Sequence, residues 1–446
     1  MLLRIISDVE LARQTVLRRR PAEDATLPEP VRNRIRDVFG AELDAEAVVR
    51  EIIRAVRAEG DAALRRFSIA FDRQATETLE VAPAAIEGAW RETPEATRQA
   101  LETAASRIRR FHERAMPRSW VDFDGDSTFG QMFRPIARIG VYAPGGRAVY
   151  PSTVLMTAVP ARVAGVSEIF LATPPGPSGL PHQAILAAAY AAGVDRVFQI
   201  GGAQAIAALA YGTESVPAVD KIVGPGNLFV AVAKRQVYGV VGIDQIAGPT
   251  ETLVIADDGA SPAALAADLL AQAEHDPLAT ALLLVDNAGI AAATAEALDR
   301  QVSELPRREI IAESLRTRGA AVVVPDLATA IELANEFGPE HLCLMVRDAW
   351  SYLPRVRNAG SVFIGERSIE AIGDYTAGPS HVMPTGGTAR FSSPLGVLDF
   401  LKTMSLFDVA PETFQRIGPA AVILAEAEGL GGHAAAIRLR QNSERG

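Results

Sequence analysis

Short apolar runs separated by helical patterns fill most of this chain, and they fall into two successive groups. The first group covers 138–143, 168–172, 196–200 and 220–223, and the second covers 252–256, 281–285, 320–324, 342–346 and 361–364. Alanine-rich stretches with helical spacing lie between many of the runs. This alternation is typical of βαβ units, so it predicts an α/β fold with two lobes, each built on a parallel sheet.

Two helices are predicted ahead of these strands. Asp44 can cap the first and Gly60 can end it, and its apolar positions are Val48, Val49, Ile52, Ile53 and Val56. Thr93 and Pro94 open the second, whose apolar face is expected to contain Leu101, Ala104, Ile108 and Phe111. The arginine-rich start favours an arm rather than core, and 384–390 has the pattern of a linker.

Composition and charge exclude several classes of protein. The 446 residues are 48% hydrophobic, enough for more than one core, and the net charge of −10 disfavours binding to nucleic acid or an anionic membrane. Cys343 is the one cysteine, which excludes a disulfide framework and a cysteine-rich metal site. Asp8 and Glu10 interrupt the start, and no stretch of about 18 apolar residues follows. We therefore expect a cytoplasmic protein.

Glycine-rich turns follow three strands of the first group, at 144–146, 201–204 and 224–227. In open α/β sheets the ligand crevice lies beyond the carboxyl ends of the strands, so we expect a ligand at these turns. No Gly-x-Gly-x-x-Gly, Walker-type, His-Glu-x-x-His or Gly-x-Ser-x-Gly motif is present to identify that ligand.

The six histidines divide into two that suggest no chemistry and four that have polar partners. His112, among charged neighbours on a helix, is predicted to be a surface residue, and His182 to lie on the surface or cap a helix. The four polar clusters are Asp268 with Gln272 and His275, Glu340 with His341, Asp374 with His381, and Glu428 with His433. Such groups can bind a metal ion or move protons near neutral pH. Each is also compatible with an ordinary polar face, a capping residue or a helix-end ion pair.

The residues alone therefore predict an α/β enzyme with a possible oxygen- and nitrogen-liganded metal, and they do not identify its reaction. A zinc hydrolase with Glu340 as its base, and a binding protein without activity, both stay open at this point.

Eight segments, in order, resemble the histidinol dehydrogenase family. They are GVYAPGG at 140–146, GGAQAI at 201–206, KIVGPGN at 221–227, AGPTE at 247–251, QAEH at 272–275, GPEHL at 338–342, GDY at 373–375 and GTARF at 387–391. The resemblance covers about nine-tenths of the chain. It implies an enzyme of histidine biosynthesis that uses zinc and two NAD to convert L-histidinol to L-histidine through a held aldehyde.

The resemblance also implies individual roles. One zinc ion per subunit would be bound by Gln272, His275, Asp374 and the partner subunit's His433. Glu340 would activate water, and His341 would accept the alcohol proton. The implied substrate contacts are Thr250, Gln272, His275, His341, Asp374, His381, Glu428 and His433, and those implied for NAD are Tyr142, Gln204 and Asn227.

Three places differ from the family's usual pattern. Thr250 stands where serine is common, Ile369 where proline is frequent, and Pro379–Ser380 where asparagine more often precedes the histidine. Because these positions border the substrate, a related dehydrogenase acting on another polar alcohol, amino or sulfonated, stays an alternative.

The resemblance finally implies an intertwined homodimer. Within each subunit we expect an N-terminal arm at 1–37, a first α/β lobe at 38–131 and 250–387 with the metal and catalytic residues, and a second, NAD-binding lobe at 132–249. Both lobes would be Rossmann-like without the Gly-x-Gly-x-x-Gly motif. Residues 388–446 would form a helical segment that reaches the partner subunit.

Overall fold

The computed structural model describes residues 1–19, 27–73, 78–124, 127–145 and 149–443, so Gly146 of the first glycine turn lies outside the described residues. The strands are β1 Arg4–Ile6, β2 Trp120–Asp124, β3 Ser127–Pro135, β4 Arg138–Tyr142, β5 Glu168–Ala172, β6 Arg196–Phe198, β7 Lys221–Val223, β8 Gly242–Ile243, β9 Glu251–Ala256, β10 Thr280–Val285, β11 Gly319–Val323, β12 His341–Met345, β13 Ser361–Ile364 and β14 Leu401–Asp408.

The helices of the first half are α1 Val9–Gln14, α2 Glu29–Phe39, α3 Ala45–Glu59, α4 Asp61–Phe67, α5 Pro83–Glu92, α6 Glu95–Arg114, α7 Pro151–Ala164, α8 Gln183–Ala192, α9 Gly202–Tyr211 and α10 Leu228–Val237. Those of the second half are α11 Pro262–Ala273, α12 Ala288–Gln301, α13 Arg308–Arg318, α14 Leu327–Phe337, α15 Ala349–Tyr352, α16 Glu370–Tyr375, α17 Pro411–Ala427 and α18 Gly431–Ser443. None of the helices in the described ranges is long and apolar enough to cross a membrane.

Two parallel sheets form the body of the molecule, which confirms the predicted α/β fold. One has the strand order β1-β11-β10-β9-β12-β13, and the other has the order β6-β5-β4-β7-β8. Every apolar run predicted to be a strand contains a strand of one of these sheets. The central strands are buried on both faces by helices, as β9 and β10 illustrate with every residue buried. A parallel strand covered on both faces is a continuous apolar run, and this made the strands readable in the sequence.

The helices from α2 to α6 pack on the second sheet rather than on the first, whereas α1 packs beside β1 and β11 of the first sheet. Helix α3 contacts α9 and α10, while α5 and α6 contact α7 and α8. The expected grouping of 38–131 with 250–387 is therefore wrong in its packing, because these apolar faces join the cores around β4 to β7. The expected arm at 1–37 is divided as well, since β1 pairs with β11 of the first sheet and α2 buries Ile35 against the second lobe.

A small antiparallel sheet was not predicted. Its order is β14-β3-β2, and it pairs residues as far apart as Leu401 and Pro135. The expectation that 388–446 is wholly helical is therefore corrected, because β14 precedes α17 and α18. The predicted linker at 384–390 is also corrected, since Thr385 is buried and Thr388–Arg390 forms a 3₁₀ turn.

The two histidines that suggested no chemistry, His112 and His182, differ in how well the structure agrees with their predicted positions. His182 caps α8, where its Nδ1 accepts the Ala184 N–H at 3.2 Å, as one of the expected roles required. His112 was expected on the surface but is only 2% exposed, and neither ring nitrogen has a hydrogen-bond partner among the described residues. It continues the buried face of α6 that contains Leu101 and Ile108, while Phe111, expected on that face, is exposed.

Burial lowers the pKa of His112 from its ordinary value of 6.5 to about 4. The unfolded chain therefore binds the proton more readily between these values, and stability falls as the pH drops through that window. Because of this imidazole, the free energy of unfolding should be about 2 kcal/mol lower at pH 5 than at pH 7. We expect the melting temperature of His112→Phe to fall less between pH 7 and pH 5 than that of the wild type. If calorimetry showed that the melting temperatures of the wild type and of His112→Phe fall equally between pH 7 and pH 5, His112 would not be a source of acid sensitivity.

Candidate active site

A cleft of about 1760 Å³ lies between the two lobes and is lined by residues of both. The amino ends of β9 and β12 contribute Thr250, Glu251, Glu340 and His341. The carboxyl ends of β4 and β7 contribute the turns at 144–145 and 225–227. A ligand that fills the cleft would therefore contact acid and imidazole side chains on one side and glycine turns on the other.

Glu340 lies at the base of the first-lobe wall, almost fully buried. Its Oε2 accepts the hydroxyl of Thr250 at 2.6 Å and the backbone N–H of Glu251 at 2.9 Å. Burial raises the pKa of Glu340 to about 7, against the lowering effects of His341 and these two hydrogen bonds. A carboxyl group that titrates near neutral pH is suited to general base catalysis.

His341 is adjacent to Glu340 and equally buried. Its Nδ1 lies 3.0 Å from the carbonyl oxygen of Glu251, so Nδ1 carries a proton and Nε2 is the variable position. Nε2 lies 3.9 Å from carboxylate oxygens of both Glu370 and Asp374. Burial opposes protonation, but Glu370, Glu340 and Asp374 outweigh it and raise the pKa of His341 to about 10.

Three potential metal ligands converge beside His341. Ligand atoms of His275, Glu370 and Asp374 all lie within 4.8 Å of one another. Gln272 extends this group, because its Nε2 donates to Thr250 at 3.0 Å and its buried Oε1 has no hydrogen-bond partner among the described residues. An unpaired buried carbonyl oxygen is costly unless a ligand completes it, so this atom is a candidate metal ligand.

Glu370 was not a candidate from the sequence. It is 3% exposed, and its Oε2 accepts the hydroxyl of Thr252. Burial raises its pKa to about 7, while His341 lowers it. It stands four residues before Asp374, so the i, i+4 spacing on α16 was the signal that could have found it. Asp374 lies on the same helix.

His381 lies on the second-lobe side of the cluster. Its Nδ1 is 2.9 Å from the carbonyl oxygen of Asp374, and its Nε2 is 3.1 Å from the hydroxyl of Thr153 on α7. Burial lowers the pKa of His381, which keeps the ring neutral. The side chain thus connects α16 to the second lobe at the edge of the cleft.

Glu428 and His433 are not brought to this cleft by their own chain. Glu428 caps the end of α17 and His433 lies in the first turn of α18, and both are exposed. Neither belongs to the described lining of the cleft or to the described ligand cluster.

The three residues implied for NAD lie on the second-lobe side. Asn227 lines the cleft and caps α10, with its Oδ1 accepting the N–H groups of Phe229 and Val230. Tyr142 and Gln204 lie behind the cleft surface, almost fully buried, and the Tyr142 hydroxyl accepts the Gly202 N–H at 3.0 Å. Tyr142 thus fixes a glycine turn.

A buried ion pair that the sequence did not reveal holds the turn at 224–227. Lys234 pairs with Asp244, and its Nζ also donates to the carbonyl of Gly224 at 2.9 Å. Asp244 accepts the N–H of the same glycine at 2.7 Å. Both backbone groups of Gly224 are therefore fixed, and at φ 111° glycine is the residue that this turn requires.

Comparisons with known proteins agree with the resemblance seen in the sequence. The family model described as histidinol dehydrogenase matches residues 39–441. Histidinol dehydrogenase of Deinococcus radiodurans is 52% identical over 416 residues, which cover 93% of this chain and 95% of that protein. Histidinol dehydrogenase of Synechococcus is 49% identical over 89% of this chain and 92% of its own length. The crystal structure of histidinol dehydrogenase from Elizabethkingia anophelis superposes with a TM-score of 0.92 at 33% identity, covering 100% of this chain and 99% of that chain.

Proposed function

This chain belongs to the histidinol dehydrogenase family, and we propose that its cleft oxidises L-histidinol to L-histidine by two successive hydride transfers to NAD. It is an oxidoreductase that acts on a CH–OH group and serves histidine biosynthesis. The observation that carries the proposal is the buried pair of Glu340 and His341 beside the polar cluster of Gln272, His275 and Asp374. The runner-up, a related dehydrogenase for another polar alcohol, gains no support from the geometry around Thr250, whose hydroxyl bonds Glu340 as a serine would.

The donor set fits a divalent cation such as zinc. Imidazole, carboxylate and amide oxygen are ligands that zinc accepts, and the buried Gln272 Oε1 has no hydrogen-bond partner among the described residues. We assign Gln272, His275 and Asp374 of one subunit and the partner subunit's His433 as its ligands, with Glu370 against the same cluster. A bound cation would hold the imidazole and amino nitrogens of the substrate and compensate the charge of Asp374.

The chain's own residues then divide the chemistry. When hydride leaves the alcohol carbon, His341 would accept the hydroxyl proton at Nε2, because Nδ1 is committed to the Glu251 carbonyl. This role needs the neutral ring, which is favoured when Asp374, one of the carboxylates that raise the pKa of His341, is neutralised by a bound cation. Glu340 accepts a proton from the water that adds to the aldehyde. With that proton on Glu340 the hydrate is a monoanion, and loss of its hydride to a second NAD would leave the neutral carboxylic acid. We assign His381 and the partner's Glu428 to contacts with the imidazole and amino groups of the substrate.

We place NAD at the glycine turns of the second lobe. The order β6-β5-β4-β7-β8 corresponds to the order 3-2-1-4-5 of a Rossmann fold, in which the ligand lies beyond the carboxyl ends of the strands where the order reverses. Asn227 would contact the cofactor directly, since it lines the cleft. Tyr142 and Gln204 would shape the turn beneath it.

The surface supports a homodimer. Helices α17 and α18 pack mainly on each other, and their common core contains only Val422, Ala425, Ala434 and part of Ile437. The same hairpin exposes Ile423, Leu424 and Leu439, and the antiparallel sheet exposes Phe123 and Phe407. Exposed apolar surface of this kind is typical of a protein interface. We propose that the partner subunit covers it and that each hairpin delivers Glu428 and His433 to the other subunit's cleft.

The zinc-loaded protein should form two NADH for each L-histidinol consumed, with L-histidine as the product. The physical reason is that one cleft contains both a proton acceptor for the alcohol and a base for water. Spectrophotometry at 340 nm with amino-acid analysis measures both quantities. Absence of NADH formation would overturn the proposed function, and a far higher kcat/KM with another polar alcohol would favour the runner-up.

A further inference from the structure

We propose that Arg19, in the N-terminal segment, is a positioning residue for both Glu340 and His341, and that it acts through Glu251. The inference rests on the proposed function for its kinetic consequences, although the contacts themselves do not depend on it. Arg19 precedes the residues matched by the family model, which begin at 39, and the sequence assigned this segment only to an arm.

The first step concerns the backbone of Glu251, which touches both catalytic side chains. Its N–H donates to Glu340 Oε2 at 2.9 Å, and its carbonyl oxygen lies 3.0 Å from His341 Nδ1. One peptide unit on either side of a single Cα therefore orients the base and fixes the tautomer of the imidazole. A shift of Glu251 would displace both groups together.

The second step concerns what holds Glu251 in place. Its side chain is buried, and Oε1 accepts hydrogen bonds from the Arg19 guanidinium and from the N–H of Gly386 at 3.1 Å. Its Oε2 has no hydrogen-bond partner among the described residues. Arg19 is consequently the cation that pairs with a buried carboxylate next to Glu340, and an unpaired buried charge would be strongly unfavourable.

The third step concerns the remaining hydrogen bonds of the same guanidinium group. Nε and Nη2 of Arg19 donate to the carbonyl of Phe337 at 3.0 and 2.6 Å, and Nη2 also donates to the carbonyl of Gly338 at 3.1 Å. The group lies over the Phe337 ring at 3.5 Å from its centre. Arg19 therefore joins the end of α14, two residues before Glu340, to the carboxylate that orients Glu340. Only a planar group with several donors can make these contacts at once, so lysine should not replace it.

The experiment compares three variants of the full-length, zinc-loaded protein. Arg19→Met removes the guanidinium group, and Arg19→Lys replaces it with a single ammonium group. Arg13→Met is the matched control. Arg13 ties the same segment to the same helix through Glu336, at 3.1 Å, without contact to the site. We expect kcat with L-histidinol to fall about 10- to 100-fold in both Arg19 variants, because a misplacement of about 1 Å has effects of that size. KM for NAD and zinc content should stay near those of Arg13→Met, whose kcat should stay within about twofold of the wild type. The melting temperature of Arg19→Met should fall, because the buried Glu251 carboxylate loses its cation, but the protein should stay folded at the assay temperature.

Chemical rescue separates positioning from a general structural role. Guanidinium ion at millimolar concentration should raise kcat of Arg19→Ala at least several-fold and leave the wild type unchanged, since the ion can occupy the vacated site. Crystal structures of Arg19→Met and Arg13→Met give a readout that needs no substrate. We expect Glu340 to lose its bond to the Glu251 N–H only in Arg19→Met.

Two results would overturn the inference. One is a kcat of Arg19→Met equal to that of Arg13→Met, with Glu340 unmoved in the crystal. The other is a loss of activity that follows loss of zinc, or unfolding at the assay temperature, and that guanidinium does not restore. If the wild type itself formed no NADH, the proposed function would fail, while a displaced Glu340 in Arg19→Met would still support the positioning role.

Discussion

Replacing Glu340 by glutamine should lower the rate of oxidation of the aldehyde to L-histidine about 1000-fold, an effect within the range of general acid–base catalysis. The amide keeps the volume of the side chain and can still meet Thr250 and the Glu251 N–H in part, but it cannot accept a proton from water. The alcohol–aldehyde step depends on His341 instead. Reduction of L-histidinal by NADH should therefore stay within about tenfold of the wild type.

The two half-reactions can be measured separately with L-histidinal as the substrate. Histidinal with NAD reports acid formation, and histidinal with NADH reports the reverse of the alcohol step. Glu332→Gln is a matched control, because Glu332 is exposed on α14, the helix that ends just before Glu340. Acid formation by Glu340→Gln at more than a tenth of the wild-type rate would show that another group activates the water.

The sequence predicted the parallel sheets well because their strands are local signals. A strand such as 281–285 is apolar at every position, and its boundaries carry polar or glycine residues, so no distant information is required. The antiparallel sheet gave no such signal. Strands β3 and β14 pair residues more than 260 positions apart, and the described side chains of β2 and β14 are mostly exposed.

His112 illustrates how a local reading failed. Its charged neighbours suggested solvent exposure, but the helical spacing from Leu101, Ala105 and Ile108 leads to His112 and not to Phe111. Periodicity was the stronger signal, because packing against α7 and α8 decides which face of α6 is buried. The early grouping of lobes failed for the same reason, since only tertiary packing says which sheet a helix covers.

Only part of the candidate site could be predicted from the sequence. His275, Glu340, His341 and Asp374 line one cleft, and Gln272 donates to Thr250 of the same cleft. Motif resemblance rather than spacing identified these residues together. Glu370 and Arg19 were missed because their partners are remote in sequence. Glu370 lies against Thr252, and Arg19 bonds Glu251. Contacts of this kind follow from the fold and leave no short motif.

The account depends most on a site completed by two subunits. His433 and Glu428 are exposed on a hairpin away from their own cleft, whereas Asp374 lies in the cluster. The homodimer of His433→Ala and that of Asp374→Ala should each be essentially inactive with L-histidinol, because each removes a ligand from both sites. A dimer with one chain of each kind is different. One of its clefts would combine an intact Asp374 with the partner's intact His433, and the other would lack both.

The direct test is to co-express the two variants with different affinity tags, purify the mixed dimer and measure its NADH formation. The account predicts about half of the wild-type activity per dimer, since one site in two is whole. Zinc content should be about one ion per mixed dimer. If Asp374 and His433 served the same cleft within one chain, both clefts would be damaged. A mixed dimer as inactive as its two parents would contradict the shared site.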